Sequence, residues 1–160
     1  MRLRQVKLED FVNYKKISLF LGTCFCDWKC CTEQKVDISV CQNTRLIQNN
    51  ITEYSPQSIY RDMYCASSLH QAVVFGGLEP MLQFNEMLEV IDYFRHNIMD
   101  DIVIYTGFEP TEIQQSIKQL KKYPNIYMKF GRFKINSAHH IDPVLGVELA
   151  SENQRGVKIS

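Results

Sequence analysis

The sequence predicts an α/β fold, a parallel sheet of βα units, and three observations predict it. Short apolar runs rich in β-branched and aromatic residues recur along the chain, segments of helical periodicity separate them, and glycines follow the ends of the runs. Alternation of this kind places helices against a sheet whose strands point the same way.

Lys16 to Leu21 is the first predicted strand, and Cys24 to about Thr52 follows as a long irregular segment. Ser55-Pro56 has the form of an N-cap followed by proline at the first helical position, which opens a helix running to about Ser67. Ala72-Val73-Val74-Phe75 is apolar without alternation, as a strand buried on both faces must be, and it ends in Gly76-Gly77. From Asn85 to His96, Met87, Leu88, Ile91 and Phe94 share one helical face. Ile102 to Tyr105 is the next strand, broken by Thr106-Gly107. A third helix begins at Pro110, carries Ile113, Ile117 and Leu120 at helical spacing, and reaches Lys121-Lys122 near its end, where cations favour the dipole. Ile126 to Phe130 is the fourth strand. Strand, helix and strand in succession imply right-handed crossovers.

With 160 residues, 45% of them hydrophobic and 22% charged, the chain is expected to form one domain spanning residues 1–160. Its 18 basic and 18 acidic side chains cancel, which leaves no electrostatic footprint for nucleic acid. No long uncharged apolar run and no Lys/Arg-rich amphipathic segment point to a membrane, and Met1 to Lys7 does not resemble a signal peptide. A cytoplasmic protein whose partner is another protein or a small molecule is therefore expected.

Five of the six cysteines, Cys24, Cys26, Cys30, Cys31 and Cys41, follow the first strand within one short window. In a reducing compartment such density points to ligands or redox groups rather than disulfides. Structural zinc usually takes two separated pairs of Cys or His ligands, whereas here one tight cluster precedes a single Cys41 and no histidine lies nearby. A thiolate-held iron–sulfur centre is the leading expectation, with zinc the alternative. Cys65, alone on the second predicted element, reads as a small buried hydrophobe.

In parallel sheets chemistry gathers at the carboxyl ends of the strands. The cysteines, Gly76-Gly77, Thr106-Gly107 and Gly131-Arg132-Phe133 all fall there, so the sequence directs them to one site.

The cysteine cluster after one strand and Gly76-Gly77-Leu78-Glu79-Pro80 after the next resemble the radical S-adenosylmethionine superfamily. More narrowly, Tyr105-Thr106-Gly107-Phe108, Lys129-Phe130-Gly131-Arg132-Phe133 and Ser151-Glu152-Asn153-Gln154-Arg155 are similar, in the same order, to segments of the activating proteins of anaerobic ribonucleotide reductases. The resemblance implies an open, partial barrel and a [4Fe-4S] cluster held by three cysteines. It also implies S-adenosyl-L-methionine as cofactor, with Gly76, Gly77, Glu79 and Thr106 beside it. The activity implied is an oxidoreductase's: one-electron cleavage of the cofactor to methionine and a 5′-deoxyadenosyl radical, which produces a glycyl radical on the large reductase subunit. A flavodoxin-like protein is the implied electron donor, and no side chain need serve as acid or base.

Two departures stand out. The usual CX3CX2C spacing is interrupted, because Cys26 and Cys30 supply the CX3C while Glu33 stands where the third cysteine belongs. The resemblance then implies Cys41, followed by Gln42-Asn43, as the displaced third ligand beside Cys26 and Cys30. Cys24 and Cys31 remain alternatives for one position each. Leu78 separates Gly77 from Glu79, so Glu79 is equally a cofactor contact or a cap for the helix that follows. Another superfamily enzyme with a different target, or a non-catalytic iron–sulfur or zinc protein using a fourth cysteine, are the competing functions.

Overall fold

The computed structural model describes residues 1–160. The chain begins with β1 (Arg2–Leu3), β2 (Gln5–Asp10) and β3 (Ser18–Thr23), and the cysteine segment follows with one short helix, α1 (Lys29–Thr32), and two 3-10 turns, Ile38–Val40 and Thr44–Gln48. Next come β4 (Thr52–Glu53), α2 (Pro56–Ser58), β5 (Ala72–Gly77), α3 (Phe84–Arg95), β6 (Asp101–Tyr105), α4 (Gln114–Leu120) and β7 (Ile126–Phe130). A hairpin of β8 (His140–Asp142) and β9 (Val147–Leu149) precedes β10 (Arg155–Lys158). No helix is long and apolar enough to cross a membrane.

Six strands form one mixed sheet in the order β10-β7-β6-β5-β3-β2. The four inner strands are parallel, and their register sets Gly22 beside Gly76 and Thr23 beside Gly77 at the carboxyl end. Both edges are antiparallel, with β2 on β3 and β10 on β7, which the sequence did not disclose. Those strands are largely exposed or half-buried and carry mostly polar residues, so they lack the continuous apolar signature that marks the inner four.

Alternation along the inner strands divides the core between two faces. On one face Leu19, Leu21, Val73, Phe75, Ile102, Ile104, Ile126 and Met128 pack with Met87, Val90, Ile91 and Phe94 of α3 and Leu120 of α4. On the other, Phe20, Val74 and Val103 meet Tyr14, Leu145 and Leu149. Helices cover the first face, while the second lies under the cysteine segment and the β8–β9 hairpin.

Three local expectations are corrected. The helix opened by Ser55, whose side chain accepts from Ser58 N–H, widens into a π-helix over Ile59–Tyr64 and ends there. Its wider turn lets Tyr60 and Tyr64 both edge onto Phe94 at 5.3 Å. Cys65, expected in the core, is exposed just past that turn. The helix expected from Pro110 begins only at Gln114, because Glu109 to Glu112 close a turn in which the Glu112 carboxylate accepts from Glu109 N–H.

Candidate metal centre

A cavity of about 480 Å³ opens at the carboxyl ends of the parallel strands, on the face away from the helices. Cys26, Cys30 and Cys41 line it together with Gly76, Gly77, Glu79 and Thr106. Cys24 and Cys31 are buried in the protein and do not line it. All six cysteines are free thiols.

Local chain geometry explains how separated cysteines reach one wall. Trp28 adopts the left-handed conformation (φ 56°), sparsely populated by residues other than glycine, at the N-cap of α1. That reversal brings the Trp28 N–H onto Cys26 Sγ at 3.4 Å and starts the helix that carries Cys30. Neighbours on a helix point about 100° apart, so Cys30 faces the cavity while Cys31 turns into the core, the two sulfurs 3.7 Å from each other. Asp37 caps the first 3-10 turn by accepting from Ser39 N–H, and that turn delivers Cys41.

The cavity thiols are electrically unequal. Cys41 is held below the ordinary thiol value, at about 6, chiefly by the neighbouring Cys30 thiol, with burial opposing and the Asn43 amide adding to the effect. Cys30 is raised in return, since it keeps the proton the pair shares, and burial adds to this. Burial pushes Cys26 up to about 11, and the Trp28 amide pulls the other way.

The glycine walls are set by close approach. Gly77 has φ +83°, and a side chain there would bring its Cβ within 3.0 Å of Gly22 Cα and 3.1 Å of Leu46 Cδ1. At Gly76 a Cβ would fall 2.9 Å from the Phe20 ring.

Glu79 is buried. Its carboxylate accepts from Met81 N–H (3.0 Å), Thr106 Oγ1 (2.8 Å) and Gly107 N–H (2.8 Å). It thus caps the 3-10 turn Pro80–Gln83, as one of its two readings had it, and also binds the end of β6. Burial raises its carboxyl above the usual range, and the hydrogen bonds from Gly107, Met81 and Thr106 oppose that. The Thr106 hydroxyl is therefore committed to Glu79 at the cavity wall.

Gln34, which belongs to no motif, and Arg132 and the Ser151 to Arg155 segment, which do, hold the cysteine segment and the loop after β7 in place. Gln34 Nε2 donates to the carbonyls of Cys30 and Phe133 while its Oε1 accepts from Ile135 N–H. Arg132 makes a two-pronged pair with Glu112 (2.7 and 2.9 Å) and approaches Glu33 at 3.5 Å. The Ser151 to Arg155 segment braces the loop after β7. Ser151 Oγ accepts from Lys134 N–H, Asn153 Nδ2 donates to Arg132 O, and Gln154 Nε2 donates to Gly131 O. Lys129, also on the cavity wall, has no place among the residues expected at the site. Its signals were its place at the head of the Lys129-Phe130-Gly131-Arg132-Phe133 segment and its being the lone lysine of an otherwise apolar run.

These residues fit an iron–sulfur cluster. No three Cys, His, Asp or Glu side chains converge closely enough to enclose a single ion. The three thiols instead share a cavity wide enough for a polynuclear group, one of them is favoured as thiolate, and an amide N–H already points at a sulfur. Among known proteins, residues 15–155 match the family model described as a 4Fe-4S single cluster domain. No curated protein and no solved structure gives a significant match. The match takes in most of the chain, including the cysteine segment and every strand lining the cavity from β3 onward, and the chain belongs to the 4Fe-4S single cluster domain family.

Proposed function

We propose that the chain is a radical S-adenosylmethionine activase, its sheet serving as an open partial barrel. The reading takes Cys26, Cys30 and Cys41 as ligands of the [4Fe-4S] cluster, with S-adenosyl-L-methionine beside it against Gly76, Gly77, Glu79 and Thr106. The observation that carries it is the number of thiols on the cavity wall: three line it, and the two remaining cysteines of the segment are turned into protein.

Cys26, Cys30 and Cys41 would hold such a group through three thiolates, and it would supply the single electron that cleaves S-adenosylmethionine to methionine and a 5′-deoxyadenosyl radical. The chain's own residues fix the geometry. Trp28 N–H steadies the Cys26 sulfur, Asn43 N–H supports Cys41 as thiolate, and the bare backbone of Gly76 and Gly77 lets a ligand approach β5 closely. Glu79 fastens β6 to the turn after β5, so two walls move as one. Oxidoreductase activity on this reading needs no general acid or base, because the cofactor carries the chemistry.

The target is a glycyl radical site on a partner, taken as the large subunit of anaerobic ribonucleotide reductase, with a flavodoxin-like protein as electron donor. The test is anaerobic reconstitution with iron and sulfide, reduction, addition of S-adenosylmethionine and measurement of 5′-deoxyadenosine. Formation of 5′-deoxyadenosine by the wild-type chain and its loss on changing Cys26, Cys30 or Cys41 to Ala supports the reading. Absence of 5′-deoxyadenosine from a chain with a full, reducible cluster contradicts it.

A further inference from the structure

Of the residues that the four parallel strands present to the cavity, Phe20, Gly76, Gly77, Tyr105 and Lys129, only Lys129 carries a charge. It is 7% exposed. Its Nζ donates to Gly131 O at 2.9 Å and to Thr106 O at 3.4 Å, which pins the ammonium between the ends of β6 and β7, and the Tyr105 ring lies 5.9 Å away. No carboxylate is in ion-pair contact with it. The buried acid that acts on it most, Glu79, already accepts three hydrogen bonds from other groups.

An ammonium enclosed in this way is unfavourable unless negative charge shares the dry volume. The groups that favour its charged form through space are Glu79, Cys30 and Glu109, and Cys30 is one of the three cavity thiols. Desolvation lowers Lys129 to about 8, which leaves it protonated at neutral pH.

We infer that Lys129 tunes the reduction potential of the iron–sulfur centre, its fixed ammonium favouring the reduced state, which carries one more negative charge. The inference rests on the cluster site described above. The electron comes from an external one-electron donor, and Lys129 is neither oxidised nor reduced and keeps its proton throughout. Its role is electrostatic. Potentials of iron–sulfur centres respond to net charge and burial, and a cation held in low dielectric acts more strongly than one in water.

The experiment is a redox titration of the reconstituted full-length chain, followed by electron paramagnetic resonance, on wild type, Lys129→Gln, Lys129→Met and Lys129→Arg. Glutamine keeps a donor for the two carbonyls and removes the charge, methionine removes both, and arginine restores the charge. Circular dichroism and iron content identify the variants that fold and load. The expected result is a potential more negative than wild type in Lys129→Gln and Lys129→Met, and one near wild type in Lys129→Arg. A wild-type potential in a loaded neutral variant, or an equal displacement in Lys129→Arg, overturns the inference and leaves Lys129 a packing residue. A wild-type chain that binds no four-iron cluster overturns the cluster site and the inference with it, and that result is recognisable before any variant is titrated.

Discussion

Cys30 and Cys31 are adjacent in sequence and opposite in environment, and that contrast decides how the cluster segment is read. A helical turn sends one to the cavity and the other to the core. The cluster of cysteines was legible in the sequence, whereas which of two neighbours reaches the cavity depended on α1 and on the left-handed Trp28 that no local pattern announces. Iron content should fall in Cys26→Ala, Cys30→Ala and Cys41→Ala and stay unchanged in Cys65→Ala, whose thiol is exposed and remote from the cavity. Glu79 makes a second prediction at this scale. Replacing it by Ala strands three donors, two of them backbone amides, at a cost of about 3 kcal/mol or more. The thermal midpoint of Glu79→Ala should drop even without cluster, which separates its structural role from any contact with a cofactor.

The inner strands were readable because burial on both faces leaves continuous apolar runs, and β5, β6 and β7 are found within a residue or two of where those runs lie. The edges were not, because β2 and β10 are half exposed and short of apolar residues. The close of β5 makes a testable point: Gly77→Ala must hold φ +83° with a Cβ against Gly22 and Leu46, which costs about 1–2 kcal/mol and narrows the cavity. Chemical denaturation of the unloaded protein measures the cost. The Arg132 pair, which ties the segment after β7 to the turn before α4, predicts a pH dependence. Arg132 hydrogen-bonds the Glu112 carboxylate and holds it at about 2, below its unfolded value. A depressed folded value contributes stability above the unfolded carboxylate range, lost as pH falls through the folded value. The pair is partly exposed, so the contribution should stay below about 1 kcal/mol. Glu112→Gln should therefore be slightly less stable than wild type at about pH 6, and the difference should shrink as pH falls toward about 2 and vanish below it in parallel unfolding titrations.

Across the whole molecule, the sheet separates packing from chemistry. The helical face holds the larger core, and the opposite face carries the cavity under a cysteine segment held by Gln34, by Arg132 and by the Phe25 carbonyl, which accepts from Glu79 N–H. Motif order along the chain pointed to this convergence, because residues after successive parallel strands must meet at one end. Lys129 was not legible in this way, since its role depends on which sheet face it occupies and on what lies across from it. The central claim is that three thiolates leave one position of the cluster open to S-adenosylmethionine. Its most direct test is the electron paramagnetic resonance spectrum of the reduced, reconstituted chain before and after that cofactor is added. A four-iron signal whose g values shift on addition is expected, in the wild type and in Cys65→Ala alike. A full cluster whose spectrum is identical with and without the cofactor would contradict the claim and point to a fourth protein ligand.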